Sequence, residues 1–249
     1  MNRYSLIVEH FEEKPNRFFL ANTFLSKIIK INNYLVGGTE EGTLVLWDLR
    51  LTDSFYKGGE INDVIKKFKQ EINTEIIIRG PNFTTEFQVN NVNNFLSEFN
   101  HMGVIISLFA QERDFNTEVI SLDNLNNVIF WNIIELSMNE SEMNYLQFGI
   151  ISKIKITQTM QINLSNIFSD DIYSQTKFHN FNYFSVDLSE NLIFLSSNNA
   201  IYKADKLGSN SVKPPNVYFG SEEEESFPRC LCGTNSNFFI AGFNDGRIG

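Results

Sequence analysis

The chain has 249 residues and a formal net charge of −10, with 42% hydrophobic and 20% charged residues. These proportions are those of a globular protein with a sizeable core. The acidic balance excludes broad binding to nucleic-acid phosphates, which requires clustered Lys and Arg. Since no apolar run reaches the roughly 20 residues of a membrane helix, the sequence predicts an intracellular protein without membrane insertion.

The first elements along the chain are predicted strands. Tyr4 to Val8 and Phe18 to Leu20 flank a charged turn and are interpreted as the remnant of a unit like the one that follows them. Leu25 to Ile31 alternates apolar and polar residues, which is typical of a short inner strand of a sheet.

The stretch YLVGGTEEGTLVLWDLR, Tyr34 to Arg50, contains two apolar extended runs around the turn Glu40-Glu41-Gly42. Because Gly42 tolerates a positive φ, the stretch is predicted to be an antiparallel hairpin. Its second run ends in Trp47-Asp48, the dipeptide that marks the third strand of a blade in WD-repeat β-propellers. We therefore interpret this hairpin and the strand before it as one blade.

Residues 51–100 break the pattern. Ile61 to Ile72 carries apolar residues at spacings of three and four, which fits either a helix or an irregular strand-bearing insertion, while Thr74 to Ile78 and Phe83 to Val89 are predicted to be extended. Trp131 follows Trp47 by 84 positions (131 minus 47), close to twice the ~40 to 45 residues of a regular repeat. Two alternatives remain open: a degenerate blade within 51–100, or a long insertion in one blade.

A second unit begins with NHMGVIISLFA at Asn100, where His101 precedes a predicted inner strand. Glu118 to Asp123 and Asn127 to Ile134 continue it, with Trp131-Asn132 in place of Trp-Asp. We expect His101 to form hydrogen bonds within the blade. Asn126-Asn127 stands where a glycine would normally turn the hairpin.

The remaining elements repeat the pattern less regularly. A linker, Ser137 to Gln147, precedes a predicted outer strand, Ile151 to Leu164. The third unit comprises Tyr183 to Leu188, Leu192 to Ser196 and Ala200 to Ala204, with Tyr202 at the tryptophan position. A loop with Pro214-Pro215 and the acidic run Glu222 to Glu225 follows, and the fourth unit, Pro228 to Cys232 and Phe238 to Gly242, ends in the turn Asn244-Asp245-Gly246.

The predicted fold is all-β. It is a partial WD-repeat β-propeller of roughly three to four blades with a long insertion, occupying residues 1–249 as one incomplete domain. The last turn is followed by only a few residues, so we expect the chain to be a fragment that is truncated within a blade at Gly249.

The sequence predicts no catalytic, cofactor-binding or metal site. Gly37 to Gly42 fits G-x-x-x-x-G, but Thr43-Leu44 follows instead of Lys-Ser/Thr, so the glycines are assigned to the hairpin. The three histidines and two cysteines have no zinc-ligand spacing; they are His10, His101, His179, Cys230 and Cys232. No G-x-S-x-G motif occurs. We therefore expect a protein that is not an enzyme, and the partner-binding residues stay unknown.

Four passages carry a resemblance to a known family: LVGGTEEGTLVLWDLR (35–50), VISLDNLNNVIFWNIIEL (119–136), SKIKITQTMQINL (152–164) and FFIAGFNDGRI (238–248). In motif, order and spacing they resemble the WD-repeat part of dynein intermediate chains. Within that family they are most similar to the larger intermediate chains of cytoplasmic dynein-2, the motor of retrograde intraflagellar transport.

The resemblance implies a non-catalytic scaffold subunit of a microtubule motor. Its implied partners are a dynein heavy chain and other dynein intermediate and light chains, and its implied location is the cytoplasm, the cytoskeleton and the cilium. No stretch of these residues matches the light-chain-binding extension of the family, so dimerisation through light chains is not supported. The alternatives are an axonemal or cytoplasmic dynein-1 intermediate chain and, outside the motors, a generic WD-repeat scaffold or substrate receptor; a propeller hydrolase is a more distant third.

Overall fold

A computed structural model of the protein describes residues 5–9, 17–21, 23–51, 77–85, 100–113, 116–136, 154–164, 183–187, 192–197, 200–205, 216–219, 228–233 and 239–249. The regular structure in these ranges consists of strands: β1 (Ser5–Glu9), β2 (Arg17–Ala21), β3 (Leu25–Ile31), β4 (Tyr34–Thr39), β5 (Leu44–Asp48), β6 (Ile77–Arg79), β7 (Phe83–Thr84), β8 (Ile105–Arg113), β9 (Asn116–Asp123), β10 (Asn127–Glu135), β11 (Ile154–Asn163), β12 (Tyr183–Asp187), β13 (Leu192–Ser197), β14 (Ala200–Asp205), β15 (Asn216–Phe219), β16 (Pro228–Gly233) and β17 (Phe239–Phe243).

Three antiparallel sheets have four strands each. The order is β3-β4-β5-β7 in the first blade, β8-β9-β10-β11 in the second and β12-β13-β14-β15 in the third. β16 and β17 form a fourth hairpin, and β1-β2-β6 form an N-terminal sheet. The first strands follow one another, because β3 contacts β8, β8 contacts β12 and β12 contacts β16. This is the arrangement of blades around the axis of a propeller, and the predicted fold class is confirmed.

The core lies between successive sheets. One buried cluster joins the N-terminal sheet to the first blade, and its members are Phe19, Ala21, Leu35, Val45 and Trp47. A second joins the first blade to the second and includes Val36, Leu46, Ile105, Val119 and Trp131. Both tryptophans of the sequence are therefore interior to an interface between sheets, which is why a large aromatic residue stands at that point of each third strand.

The turn between the second and third strands repeats three times. Gly42, Asn126 and Gly246 have φ values of 80°, 66° and 85°. Each donates its amide hydrogen to the carbonyl oxygen three residues earlier, at N···O distances of 3.3, 3.2 and 3.1 Å. The predicted hairpin turns are confirmed, and Asn126 replaces glycine because asparagine accepts the left-handed region better than most residues.

The predicted inner strands, hairpins and outer strand are confirmed, and three expectations are corrected. β6 pairs with β2 in parallel, whereas the blade-like unit to which β2 is assigned is predicted to be antiparallel. β15 follows Pro214-Pro215, in a stretch interpreted as a loop. Cys230 and Cys232, whose i, i+2 spacing on one strand predicts reduced packing residues, are exposed, so that interpretation is wrong.

The first blade receives its fourth strand from residues far along the chain, since β7 pairs with β5. Just before β7, the Asn82 side chain accepts a hydrogen bond from the Asp48 amide at 2.7 Å, and the buried Arg79 donates to the Asp48 carbonyl. The segments in which the alternatives for residues 51–100 differ, and the predicted linker Ser137 to Gln147, lie outside the described residues.

Candidate functional site

The polar centre of the second blade consists of four buried side chains from three segments. His101 precedes β8, Ser121 and Asp123 end β9, and Trp131 lies in β10. His101 Nδ1 is 2.9 Å from Asp123 Oδ2, and His101 Nε2 is 2.6 Å from Ser121 Oγ. Trp131 donates its indole N–H to Ser121 Oγ at 2.7 Å. The expected hydrogen bonding of His101 within the blade is confirmed.

These residue types are those of a Ser-His-Asp catalytic triad, but in this structure the serine is buried where a substrate does not reach it. Ser121 Oγ already accepts the Trp131 N–H, and Ser121, His101 and Asp123 are all buried. A triad requires a nucleophile that a substrate carbonyl can approach. The network instead ties the segment before β8 to the second and third strands of its blade.

Asp123 extends this network to the surface turn. Its Oδ1 accepts the backbone amides of Leu125 and Asn127 at 2.9 and 2.8 Å, and Asn127 Nδ2 lies 3.0 Å from Oδ2. Burial alone would raise the pKa of Asp123, but hydrogen bonds from His101 and Asn127 outweigh burial and hold that pKa below its ordinary value. The carboxylate therefore fixes the turn Asn124-Leu125-Asn126.

The first blade retains the tryptophan and the turn but not the rest of the network. Ala21 stands four residues before β3, as His101 does before β8, and Gly37 stands ten before Trp47, as Ser121 does before Trp131. Trp47 Nε1 finds no hydrogen-bond partner among the residues that the structure describes. Thr39 replaces Asp123 as the turn cap, since its Oγ1 accepts the amide of Thr43 at 3.0 Å.

A charged cluster joins the two blades at the opposite ends of these strands. Glu135 Oε1 accepts hydrogen bonds from Tyr34 Oη and Arg50 Nη1, each at 2.7 Å, and Arg50 pairs through Nε and Nη2 with Asp48. The bonds from Tyr34 and then Arg50 lower the pKa of Glu135, while burial and the Glu135 bond raise the pKa of Tyr34. The cluster braces neighbouring blades.

Exposed apolar side chains lie at the end of the blades that carries the hairpin turns, on a surface that we call the turn face. It is formed by the segments 23–24, 40–43, 101–104 and 124–126, and its most exposed large apolar residues are Phe24, Met102 and Leu125. Glu40 and Glu41 are exposed beside them. The turn face is the candidate functional site because exposed apolar groups that cluster on a rigid frame are typical of interaction surfaces.

The glycine-rich candidate of the sequence is part of the first-blade hairpin. Gly37 to Gly42 forms the end of β4 and the hairpin turn, and the Gly42 amide is bonded to Thr39. His10 and His179 lie outside the described residues, within which no three His, Cys, Asp or Glu side chains could hold a metal ion. In the same ranges, no helix is long and apolar enough to cross a membrane.

Sequence reasoning missed two members of the polar network, Ser121 and Asp123. A signal for them exists, since they stand ten and eight residues before Trp131, as Gly37 and Thr39 do before Trp47. Because the first blade has Gly37 and Thr39 at these positions and Ala21 at the position of His101, comparing the two units of this chain does not reveal the network.

No protein-family model matches the chain, and no curated protein matches it. Among solved structures, it is similar to the β-propeller domain of Cps50 (Swd1) from Myceliophteria thermophila, with a TM-score of 0.56, 11% identity, 98% of this chain covered and 60% of that chain. It is also similar to the computationally designed proteins Ika4 (TM-score 0.42, 11% identity, covering 92% of this chain and 91% of that chain) and Ika8 (0.44, 10%, 98% and 54%).

The likeness to the Swd1 domain concerns the fold, and this chain spans 60% of that domain's length. Together with the repeated hairpin turns and the blade network of His101 and Trp131, it assigns the protein to a class: an all-β chain with the architecture of a partial WD-repeat β-propeller.

Proposed function

We propose that the protein is a non-catalytic WD-repeat scaffold that binds other proteins. The observation that carries this proposal is the buried polar network of the second blade, in which His101, Ser121 and Asp123 hold the backbone of the turn face. In this blade the polar side chains hold the backbone in place, and the segments that they hold expose apolar residues. This arrangement is suited to binding another protein rather than to catalysis.

We propose further that the scaffold is a subunit of a dynein motor, which binds the heavy chain alongside other intermediate and light chains and supports retrograde intraflagellar transport. Support comes from the resemblance of the four passages named above to dynein-2 intermediate chains. Two of them, 35–50 and 119–136, supply the second and third strands of successive blades. On this proposal the protein works in the cytoplasm, on the cytoskeleton and in the cilium.

The test is capture of an identified dynein heavy chain by the tagged protein from extracts of ciliated cells. Enrichment of the dynein-2 heavy chain is the expected result, and depletion of the protein should leave anterograde particles accumulated at ciliary tips. Normal tips with altered cytoplasmic vesicle movement would move the assignment to dynein-1, and capture of an axonemal heavy chain would move it to axonemal dynein.

Failure to capture any dynein heavy chain leaves the broader proposal, a WD-repeat scaffold or substrate receptor outside the motors. Turnover of any member of a panel of esters and phosphoesters, at a rate abolished by Ser121→Ala, would contradict the non-catalytic proposal itself, because Ser121 is the nucleophile that such a reaction would need.

A further inference from the structure

The turn face has a shape that its backbone contacts define. The Glu40 amide donates to the Phe24 carbonyl at 3.1 Å, and the His101 amide donates to the Gly42 carbonyl at 3.1 Å. The Asn124 amide donates to the Val104 carbonyl at 3.0 Å. These bonds join four segments from two blades into one continuous surface.

Glycine at position 103 lets its segment lie close to the second-blade turn. A Cβ atom built on Gly103 would collide with Asn124 Oδ1 and would lie 2.9 Å from Leu125 Cγ, so the segment that bears Met102 packs directly against the turn that bears Leu125. Met102 is nevertheless 82% exposed and Leu125 52% exposed, and Phe24 is 40% exposed. The three side chains present apolar surface to solvent from backbone that is already ordered.

The charge on this surface has one sign. Glu40 and Glu41 are exposed in the first-blade turn, and segments 23–24, 40–43, 101–104 and 124–126 contain no Lys or Arg. The whole chain carries a net charge of −10. Such a surface repels phosphates of nucleic acids and of acidic lipids, and it attracts cationic side chains.

We propose that the turn face binds a segment of a partner protein in which an apolar side chain is flanked by Lys or Arg. The apolar side chain packs on Met102 and Leu125, and the cation pairs with Glu41. This inference rests on the proposed scaffold function and adds to it the chemistry of the partner. Because the frame is held by the buried network, little ordering of the turn face opposes binding.

The experiment measures binding of the 249-residue chain to an array of short peptides in which Leu, Phe or Met is flanked by Lys or Arg. A matched array carries Glu in place of each cation. We expect selective retention of the cationic peptides. Met102→Asp and Leu125→Asp should weaken the best of them at least tenfold, and Glu41→Lys should weaken it and reduce its sensitivity to salt.

Two control variants match these changes in chemistry and exposure. Ile248→Asp alters a residue that is 79% exposed and follows β17, and Glu112→Lys reverses an exposed charge near the far end of β8. Both should bind as the unmodified chain does, and all variants should keep its melting temperature. Equal retention of the two arrays, no retention of either, or unchanged affinity in Met102→Asp and Leu125→Asp would each overturn the inference.

Repeating the heavy-chain capture with the same variants separates this inference from the proposed function. Capture that persists in Met102→Asp and Leu125→Asp, with peptide binding unchanged in both, overturns the turn-face assignment and leaves the motor assignment standing. Absence of capture by the unmodified chain, combined with selective peptide binding that these variants abolish, overturns the motor assignment and supports the turn face.

Discussion

Trp47 and Trp131 occupy the same position of successive blades, and both are fully buried, but their indole N–H groups differ. Trp131 donates to Ser121, whereas Trp47 has no partner within the described part of the chain. A buried donor without a partner forgoes the roughly 1 kcal/mol that a hydrogen bond contributes. The two tryptophans therefore contribute similar packing and unequal hydrogen bonding.

Replacing each tryptophan by phenylalanine tests this difference. Trp131→Phe should lower the free energy of unfolding more than Trp47→Phe does, by about 1 kcal/mol, because only Trp131→Phe breaks a hydrogen bond. Trp47→Ala, which empties the site, should cost about 3 to 5 kcal/mol. Urea denaturation of the three variants provides the measurement, and equal losses for the two phenylalanine variants would contradict the hydrogen-bond argument.

Asp123 predicts how stability changes with pH. Its pKa in the folded protein lies below the unfolded value of about 3.9. The carboxylate therefore stabilises the fold fully above the unfolded pKa, and this contribution is lost as the pH falls through the folded pKa. Asp123→Asn should reduce the difference in unfolding free energy between about pH 7 and about pH 3.

The control for this prediction is Glu112→Gln, which removes an exposed carboxylate from β8. It should leave the pH dependence close to that of the unmodified chain. An Asp123→Asn variant whose stability still falls as steeply on acidification would show that other carboxylates govern the acid limb.

At the scale of elements, a side chain at the hairpin turn can destabilise the fold in two ways, by strain at a positive φ and by collision with neighbouring atoms. Comparing Gly42 with Gly246 distinguishes the two. Both have a positive φ, but a Cβ on Gly42 would meet the backbone carbonyl of His101, whereas a Cβ on Gly246 would meet nothing within 4 Å. Gly246→Ala should therefore cost only the conformational strain, about 1 kcal/mol.

Gly42→Ala should cost at least about 2 kcal/mol, since strain and displacement of the next blade's first segment act together. Gly42→Val should cost more, because a β-branched residue resists positive φ. Thermal unfolding of the variants gives the comparison. Asn126→Gly should be tolerated, and equal losses for the two alanine variants would show that the approach of His101 carries no cost.

The sequence predicts those elements that residues close together in the chain specify. The hairpin of β4 and β5 depends on Gly42 and on apolar runs that flank it, so sequence alone located it. β6 is three residues long and forms a parallel pair with β2, sixty positions apart at Arg17 and Ile77, and no local pattern specifies such a pairing. The partners of His101 were missed for the same reason, since Ser121 and Asp123 meet it only through the fold.

At the scale of the whole molecule, Arg50 links the first blade to the second through Glu135. The exposed fractions of the two side chains are 42% for Arg50 and 60% for Glu135. Surface ion pairs contribute up to about 1 kcal/mol, and salt screens them. A double-mutant cycle of Arg50→Ala and Glu135→Ala should give a coupling energy below about 1 kcal/mol that shrinks in high salt. A larger coupling that salt leaves unchanged would mean that this contact determines how the blades are held together, in place of the apolar interface around Trp131.

In the first blade, the fourth strand β7 is far from β5 in sequence, and this distance affects the order of folding. The connection from β5 to β7 spans 34 residues (49–82), and that from β10 to β11 spans 18 (136–153). Closing the longer connection costs the unfolded chain only about 0.6 kcal/mol more, because closure entropy grows with the logarithm of length. The effect on the folding rate is greater, since β5 keeps an unpaired edge until β7 pairs with it. We therefore expect the second blade, whose fourth strand returns over the shorter connection, to be completed before the first blade.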